Sequence, residues 1–333
     1  MPLKSYLSVA LLLIIILSSC EKAEKPVVLP PPSGSQSATV DMGIDYEHQI
    51  FYSFETGIVK TSEVESWDLA FEASAEGYHL FLNGGKNIQV YHTHVTDPQL
   101  VNNPYYYKSL SKDSLSFDAP CGLPDSTGIG EWKDYSGASQ KEVLVININN
   151  QTFKKIVINS VSAENYSICY ADVTDNVMKE IIIPKDALCN YSYFSFDNNG
   201  AVVYPEPAKN SWDIVFTRYM HYFWAEKLTY LVSGALLNPY QTTALADSTT
   251  GYSDINFDAI QERPFSNFRN VIGYDWKTPK IDMAQGTAVY TVNPMKCYVV
   301  KTQTSGYWKL HFLNFYDNNG EKGHPYFEFK KIR

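Results

Sequence analysis

Ser211-Trp212-Asp213-Ile214-Val215-Phe216-Thr217-Arg218-Tyr219 decides the fold, because a shorter version of it, Ser66-Trp67-Asp68-Leu69-Ala70-Phe71, stands upstream. In both, large apolar side chains recur at steps of two, Trp67/Leu69/Phe71 and Trp212/Ile214/Phe216. That is the alternation of a strand with one face on a core. A patterned strand written twice in one chain predicts a duplicated β protein.

Outward from this strand, both frames open on a hairpin. Gln49 to Val59 reads as strand, Gly57-marked turn and strand, and Tyr193 to Val203 repeats it around Gly200, so that Ser53-Phe54-Glu55 falls on Ser195-Phe196-Asp197. Both frames also close on one. Lys141-Glu142-Val143-Leu144-Val145-Ile146, a turn at Asn149-Asn150 and Phe153-Lys154-Lys155-Ile156-Val157-Ile158 match Lys296-Cys297-Tyr298-Val299-Val300, a turn at Ser305-Gly306 and Tyr307-Trp308-Lys309-Leu310-His311-Phe312. Lys155 thereby falls on Lys309 and Ile158 on Phe312. Start, middle and end agree in order, which predicts an all-β protein of two tandem related domains at 46–185 and 190–333. Between the Trp-Asp strand and the closing hairpin the frames diverge, as variable fingers on a shared scaffold would. Only Asp258-Ala259-Ile260-Gln261 and Leu236-Leu237 read there as helical turns.

The N-terminus predicts an address. Lys4 and the apolar run from Tyr6 to Leu17, too short to span a bilayer, read as a signal peptide over 1–19. Leu17-Ser18-Ser19-Cys20 is similar to a bacterial lipobox, which makes Cys20 an acylated, palmitate-bearing new N-terminus. The expected location is the outer membrane, lipid-anchored at the cell surface, with the periplasmic face as the alternative. Residues 20–40, with Pro30-Pro31-Pro32, read as an extended tether.

The formal charge of −9 becomes −10 once Lys4 is removed. An acidic chain without a basic run is a poor candidate for nucleic acid or an anionic membrane surface, and no nucleic-acid partner is expected. Aromatic residues make up 14% of the sequence, 25 of them Tyr, which favours strands and leaves rings to line a ligand site. Cys121, Cys169, Cys189 and Cys297 fit no zinc spacing and allow three disulfide pairings, among which the sequence does not choose.

The second frame carries more specific signals. Its Ser211–Tyr219 strand, Val271-Ile272-Gly273-Tyr274-Asp275-Trp276-Lys277, Lys296-Cys297-Tyr298-Val299-Val300-Lys301, and Tyr307–Phe312 with Gly320-Glu321-Lys322-Gly323 resemble the HmuY-like family of bacterial lipoproteins. The resemblance covers about 190–333 well and the first frame more weakly, through Trp67-Asp68. It implies a hand-shaped all-β domain that captures haem and delivers it to a TonB-dependent outer-membrane transporter. It also implies axial His or Met ligands from the fingers, between the Trp-Asp strand and the last hairpin.

Haem iron takes His, Met, Tyr or Cys donors within an aromatic cleft. The candidates in the second frame are Met283, in the finger region, and Met220 and His221, directly after the Trp-Asp strand; between His221 and His311 there is no other histidine. In the first frame His92 and His94, two apart on a strand, share a face and are candidates for a metal or haem. The plain alternative for each is gap-filling or surface exposure, and His311 is expected to be exposed. Asp68 and Asp213, repeated in one frame, are expected to accept hydrogen bonds rather than to catalyse. With no nucleophile elbow, phosphate loop or zincin helix, the chain is not expected to be an enzyme. The rival functions are a structural or adhesive surface module and a glycan-binding lipoprotein, neither holding haem.

Overall fold

The computed structural model describes residues 34–333 apart from 224, 227 and 283–286. Cys20 and Met283 lie outside the described residues. Helix is confined there to α1 (Pro104–Lys108), α2 (Phe257–Ile260) and short 3-10 turns. No helix among them is long and apolar enough to cross a membrane.

Twenty strands build four antiparallel sheets and a hairpin. The first inner sheet runs in the order β14 (Leu228–Leu237), β13 (Ile214–Phe223), β2 (His48–Ser53), β3 (Gly57–Glu63). The second runs β12 (Ala201–Val203), β11 (Tyr191–Ser195), β4 (Leu69–Glu72), β5 (Leu80–Leu82). Against the first packs β1 (Gln36–Thr39), β20 (Lys322–Lys331), β19 (Tyr307–Tyr316), β18 (Cys297–Lys301), β15 (Thr243–Asp247). Against the second packs β10 (Lys179–Pro184), β9 (Asn165–Asp172), β8 (Thr152–Val161), β7 (Leu144–Ile148), β6 (Gln89–His92). The separate hairpin is β16 (Lys277–Asp282) with β17 (Thr287–Val292).

The pairing of the inner sheets departs from the tandem expectation. β13 lies beside β2, with Ile214 opposite Tyr52 and Phe216 opposite Ile50. β4 lies beside β11, with Leu69 opposite Phe194. The opening hairpin of each frame thus pairs with the Trp-Asp strand of the other. One sandwich draws its strands from 36–63 and 214–331, and the other from 69–203, so the packed halves do not follow the frames 46–185 and 190–333. The physical reason lies in the repetition itself: two hairpins with the same pattern and the same exposed N–H groups fit either strand.

Two buried aspartates fasten the exchange. Asp213 Oδ2 accepts from the Phe54 N–H at 2.8 Å. Asp68 Oδ2 accepts from the Phe196 N–H at 2.6 Å and the Ser195 hydroxyl at 3.2 Å, while its Oδ1 meets Lys86 Nζ at 2.7 Å. Two asparagines complete the symmetry: Asn83 Nδ2 donates to Trp67 O at 2.8 Å, and Asn238 Nδ2 to Trp212 O at 2.6 Å. The expected hydrogen-bonding role of both aspartates is what the structure contains.

Apolar alternation fills the two cores. Ile50, Tyr52, Ile214 and Phe216 meet Trp308, Leu310, Phe312 and Phe327 in one sandwich. Leu69, Phe71 and Phe194 meet Ile146, Ile156 and Ile168 in the other. Burying each of the larger side chains stabilises by roughly 1.5–3 kcal/mol. The tryptophans leave the predicted stripe. The regular strands begin only at Leu69 and Ile214, and the irregular Trp-Asp step turns both indoles to the opposite face. There Trp212 packs on Phe51 at 5.0 Å and Trp67 on Tyr193 at 5.0 Å.

The outer sheets are covered in turn. Lys155 Nζ donates to Pro98 O at 2.9 Å and Val101 O at 3.0 Å. Its counterpart Lys309 donates to Tyr252 O at 2.6 Å and Ile255 O at 2.8 Å. The same cover corrects the expectation for His311: it stacks on Tyr252 at 4.1 Å and reaches Glu328 Oε2 at 3.1 Å, with its side chain only 11% exposed. The helical turn near 258–261 is α2, whereas Leu236-Leu237 belongs to β14 because it pairs with Val215 and Ile214.

Asp213 generates two tests. Asp213→Ala leaves the Phe54 N–H without an acceptor and is expected to cost about 1–3 kcal/mol in urea unfolding, whereas Asp197→Ala, on an exposed carboxylate, is expected to be near neutral. Burial pushes the Asp213 carboxyl up to about 6. Raised above its unfolded value, this group contributes most stability below about pH 4 and loses it as pH climbs toward about 6, a loss on the order of 2–3 kcal/mol. Asp213→Asn keeps an acceptor and is expected to flatten that segment of the stability profile.

Candidate functional site

Beyond the sandwich core, β13 and β14 run on together as a long finger, paired through Phe223 and Leu228. Alternation along β13 separates two of the candidate ligands. Met220 and His221 are consecutive and project to opposite faces. Met220 is 5% exposed and packs on the Gly84 turn, so close that a Cβ added at Gly84 would lie 3.2 Å from the Met220 nitrogen. These two residues therefore do not converge on one iron.

His221 sits in an aromatic ledge. Its ring centroid lies 4.8 Å from Phe223 and 4.9 Å from Tyr274. Directly across the ladder is Tyr230, which is 61% exposed, and cross-strand partners share a face. His221 Nδ1 is buried without a hydrogen-bond partner. Burial lowers the pKa of the imidazole, with Asp275 opposing the shift, which favours the neutral ring whose nitrogen lone pair is free to bind a metal. At the base of the finger, Lys277 lies over Trp276 at 4.4 Å and Phe315 at 4.6 Å, and donates to Ser233 O. Burial pushes its ammonium down to about 7.

In the other half, β6 ends at His92, and His94 follows with a left-handed φ of 56°. Both histidines still meet one carboxylate: each Nδ1 lies 3.4 Å from a different oxygen of Glu142. His92 Nε2 is 3.0 Å from Gly128 O, and the rings are 6.2 Å apart. The His92 nitrogens are thus occupied. The cluster of three potential metal donors is elsewhere, at Asp317, Glu321 and His324, where Asp317 already accepts from the Asn319 and Glu321 N–H groups. Cys121, Cys169, Cys189 and Cys297 are free thiols.

Tyr274, Phe223 and Tyr230 were not singled out from the sequence as neighbours of His221. Tyr230 follows from the β13–β14 register. Tyr274 comes from a loop more than 50 positions along the chain, and no local pattern announces it.

The class that the fold defines is an all-β protein of antiparallel sheets, with an aromatic finger ledge around His221. Residues 188–329, somewhat under half of the chain, match the family model of the HmuY protein. Comparison with curated proteins gives no match. Solved structures align at low similarity. One is a Bacteroides vulgatus protein described as HmuY-like and heme-binding, at 11% identity over 92% of this chain and 97% of that one, with a TM-score of 0.24. The Tannerella forsythia apo HmuY analogue TFO aligns at 12% identity over 90% and 96%, TM-score 0.26. Apo PinO from Porphyromonas gingivitis aligns at 18% identity over 47% and 86%, TM-score 0.22. At such scores these alignments carry no argument about the present fold.

Proposed function

We propose that this protein captures haem or a related porphyrin, as its HmuY-like region implies, and works by equilibrium binding rather than catalysis. The observation that carries the reading is the His221 ledge within the 188–329 region. A neutral imidazole whose Nδ1 has no hydrogen-bond partner supplies an axial donor, and Phe223, Tyr274 and the exposed Tyr230 supply apolar faces for a flat macrocycle. Met283, which lies outside the described residues, is proposed as a second axial donor. In this reading Cys20 carries the lipid anchor at the outer membrane, facing the cell surface, and bound haem passes to a TonB-dependent transporter.

Titration of the purified protein with haemin is expected to give a stoichiometric Soret shift. His221→Ala is expected to weaken it by about tenfold or more, the scale of a lost metal ligand. No shift at micromolar haemin removes haem from the reading, and retention on a glycan array without any haem response favours the sugar-binding alternative.

A further inference from the structure

Between the two inner sheets, on the faces turned away from the sandwich cores, lies a cavity of about 110 Å³, room for several waters or a small organic molecule. Its walls are aromatic, with Phe51 and Trp212 from one half and Trp67, Phe81 and Tyr191 from the other. His221 does not line it.

Four charged side chains reach this space: Asp118, Glu206, Arg218 and Arg269. Three are engaged. Glu206, 4% exposed, accepts from Asn190 Nδ2 at 2.6 Å, the Asn190 and Tyr191 N–H groups at 3.2 and 3.3 Å, and the Tyr193 hydroxyl at 3.2 Å. Asp118 accepts from the Leu82 and Gly128 N–H groups, both at 2.7 Å. Arg218 donates to Gly85 O at 2.7 Å, Asp45 O at 3.0 Å and Glu65 Oε1 at 2.5 Å.

Arg269 differs. Its Nε donates to Leu237 O at 3.1 Å, and its two terminal nitrogens have no acceptor among the described residues. Its stem is clamped. The Arg269 N–H donates to Cys121 O at 2.9 Å, and Gly122 approaches so closely, at φ +68°, that an added Cβ would lie 2.4 Å from Arg269 Cδ. Its charge is felt by the phenols of Tyr191 and Tyr193 and by Glu206, opposing the effect of burial on each. A fixed guanidinium with two unused donors, set beside a ring-lined hollow, matches a planar carboxylate borne on an apolar body. A phosphate would place a second negative charge beside Glu206 and Asp118, and an ammonium would face Arg269.

We propose that this seam cavity is a binding site for a small organic carboxylate, held by the terminal nitrogens of Arg269 with its apolar part between the Trp67, Trp212 and Phe81 rings. Because the walls come from both halves, the ligand stabilises the seam and raises the melting temperature. Binding also depends on pH. Burial pushes Glu206 and Asp118 up to about 7, so both carry more negative charge above that pH and repel the incoming carboxylate, while Arg218 and Arg269 stay charged.

Benzoate is the probe, with benzyl alcohol and benzylamine as neutral and cationic counterparts. The full-length protein is expected to show saturable quenching of tryptophan fluorescence and a raised melting temperature with benzoate alone, more strongly at about pH 6 than at about pH 8. Arg269→Met is expected to weaken binding by about tenfold or more, and His221→Ala to leave it unchanged, which separates this site from the haem reading. The proposal is overturned by the absence of a saturable benzoate response, by equal binding of benzylamine or benzyl alcohol, or by undiminished binding in Arg269→Met. If that variant does not fold, the three probes on the unmodified chain decide.

Discussion

Two carboxylates placed where a strand changes partners hold this molecule together. Asp68 and Asp213 each stand just ahead of a central strand and each take a backbone N–H in the turn of a hairpin contributed by the other frame. Without that acceptor, the buried N–H in the hairpin turn has nowhere to bond, and an unsatisfied buried donor is among the more costly local defects. Everything outside depends on it: the hairpins complete the inner sheets, the inner sheets supply half of each core, and the cores carry the outer sheets with their lysine-fastened covers.

The two halves keep this clasp and differ in what they build around it. Around Asp68 a third partner, Lys86, neutralises the charge. Around Asp213 no such cation is placed among the described residues, and burial outweighs the hydrogen bonds from Phe54 and Ser53 in setting its proton affinity. The finger beyond β13 is long and aromatic, whereas the matching strand in the other half, β4, stops at Glu72. The structural frame is therefore held in common, while the chemistry is concentrated on one side and at the seam.

Much of the frame was legible in the sequence because it rests on local periodicity. Alternating runs gave the strands, Asn and Gly gave the turns, and the coincidence of Lys155 with Lys309 marked two equivalent positions without announcing that both amines are buried. What escaped has a physical cause in each case. Trp67 and Trp212 fit the stripe by count, but the strands begin after them, so periodicity extrapolated across an irregular step gives the wrong face. His311 looked exposed because its cover comes from the loop at Tyr252, remote in sequence. The exchange of hairpins was invisible because two hairpins of like pattern suit either neighbour, and a pattern that repeats cannot say with which copy it pairs. Arg269, Glu206 and Asp118 meet only through tertiary packing and leave no spacing to read.

The exchange also sets an order of events. The hairpin at His48–Glu63 leaves the ribosome early, yet the carboxylate that fastens it lies 159 residues further on. The other hairpin closes back over a separation of 128. Contacts of such reach must wait for most of the chain and carry a large loop-closure cost. In the meantime each free hairpin presents an unpaired edge to any neighbour. A chain wired in this way favours completion of synthesis before assembly, and crowding among nascent copies would lead to interlocked chains joined by the same clasp.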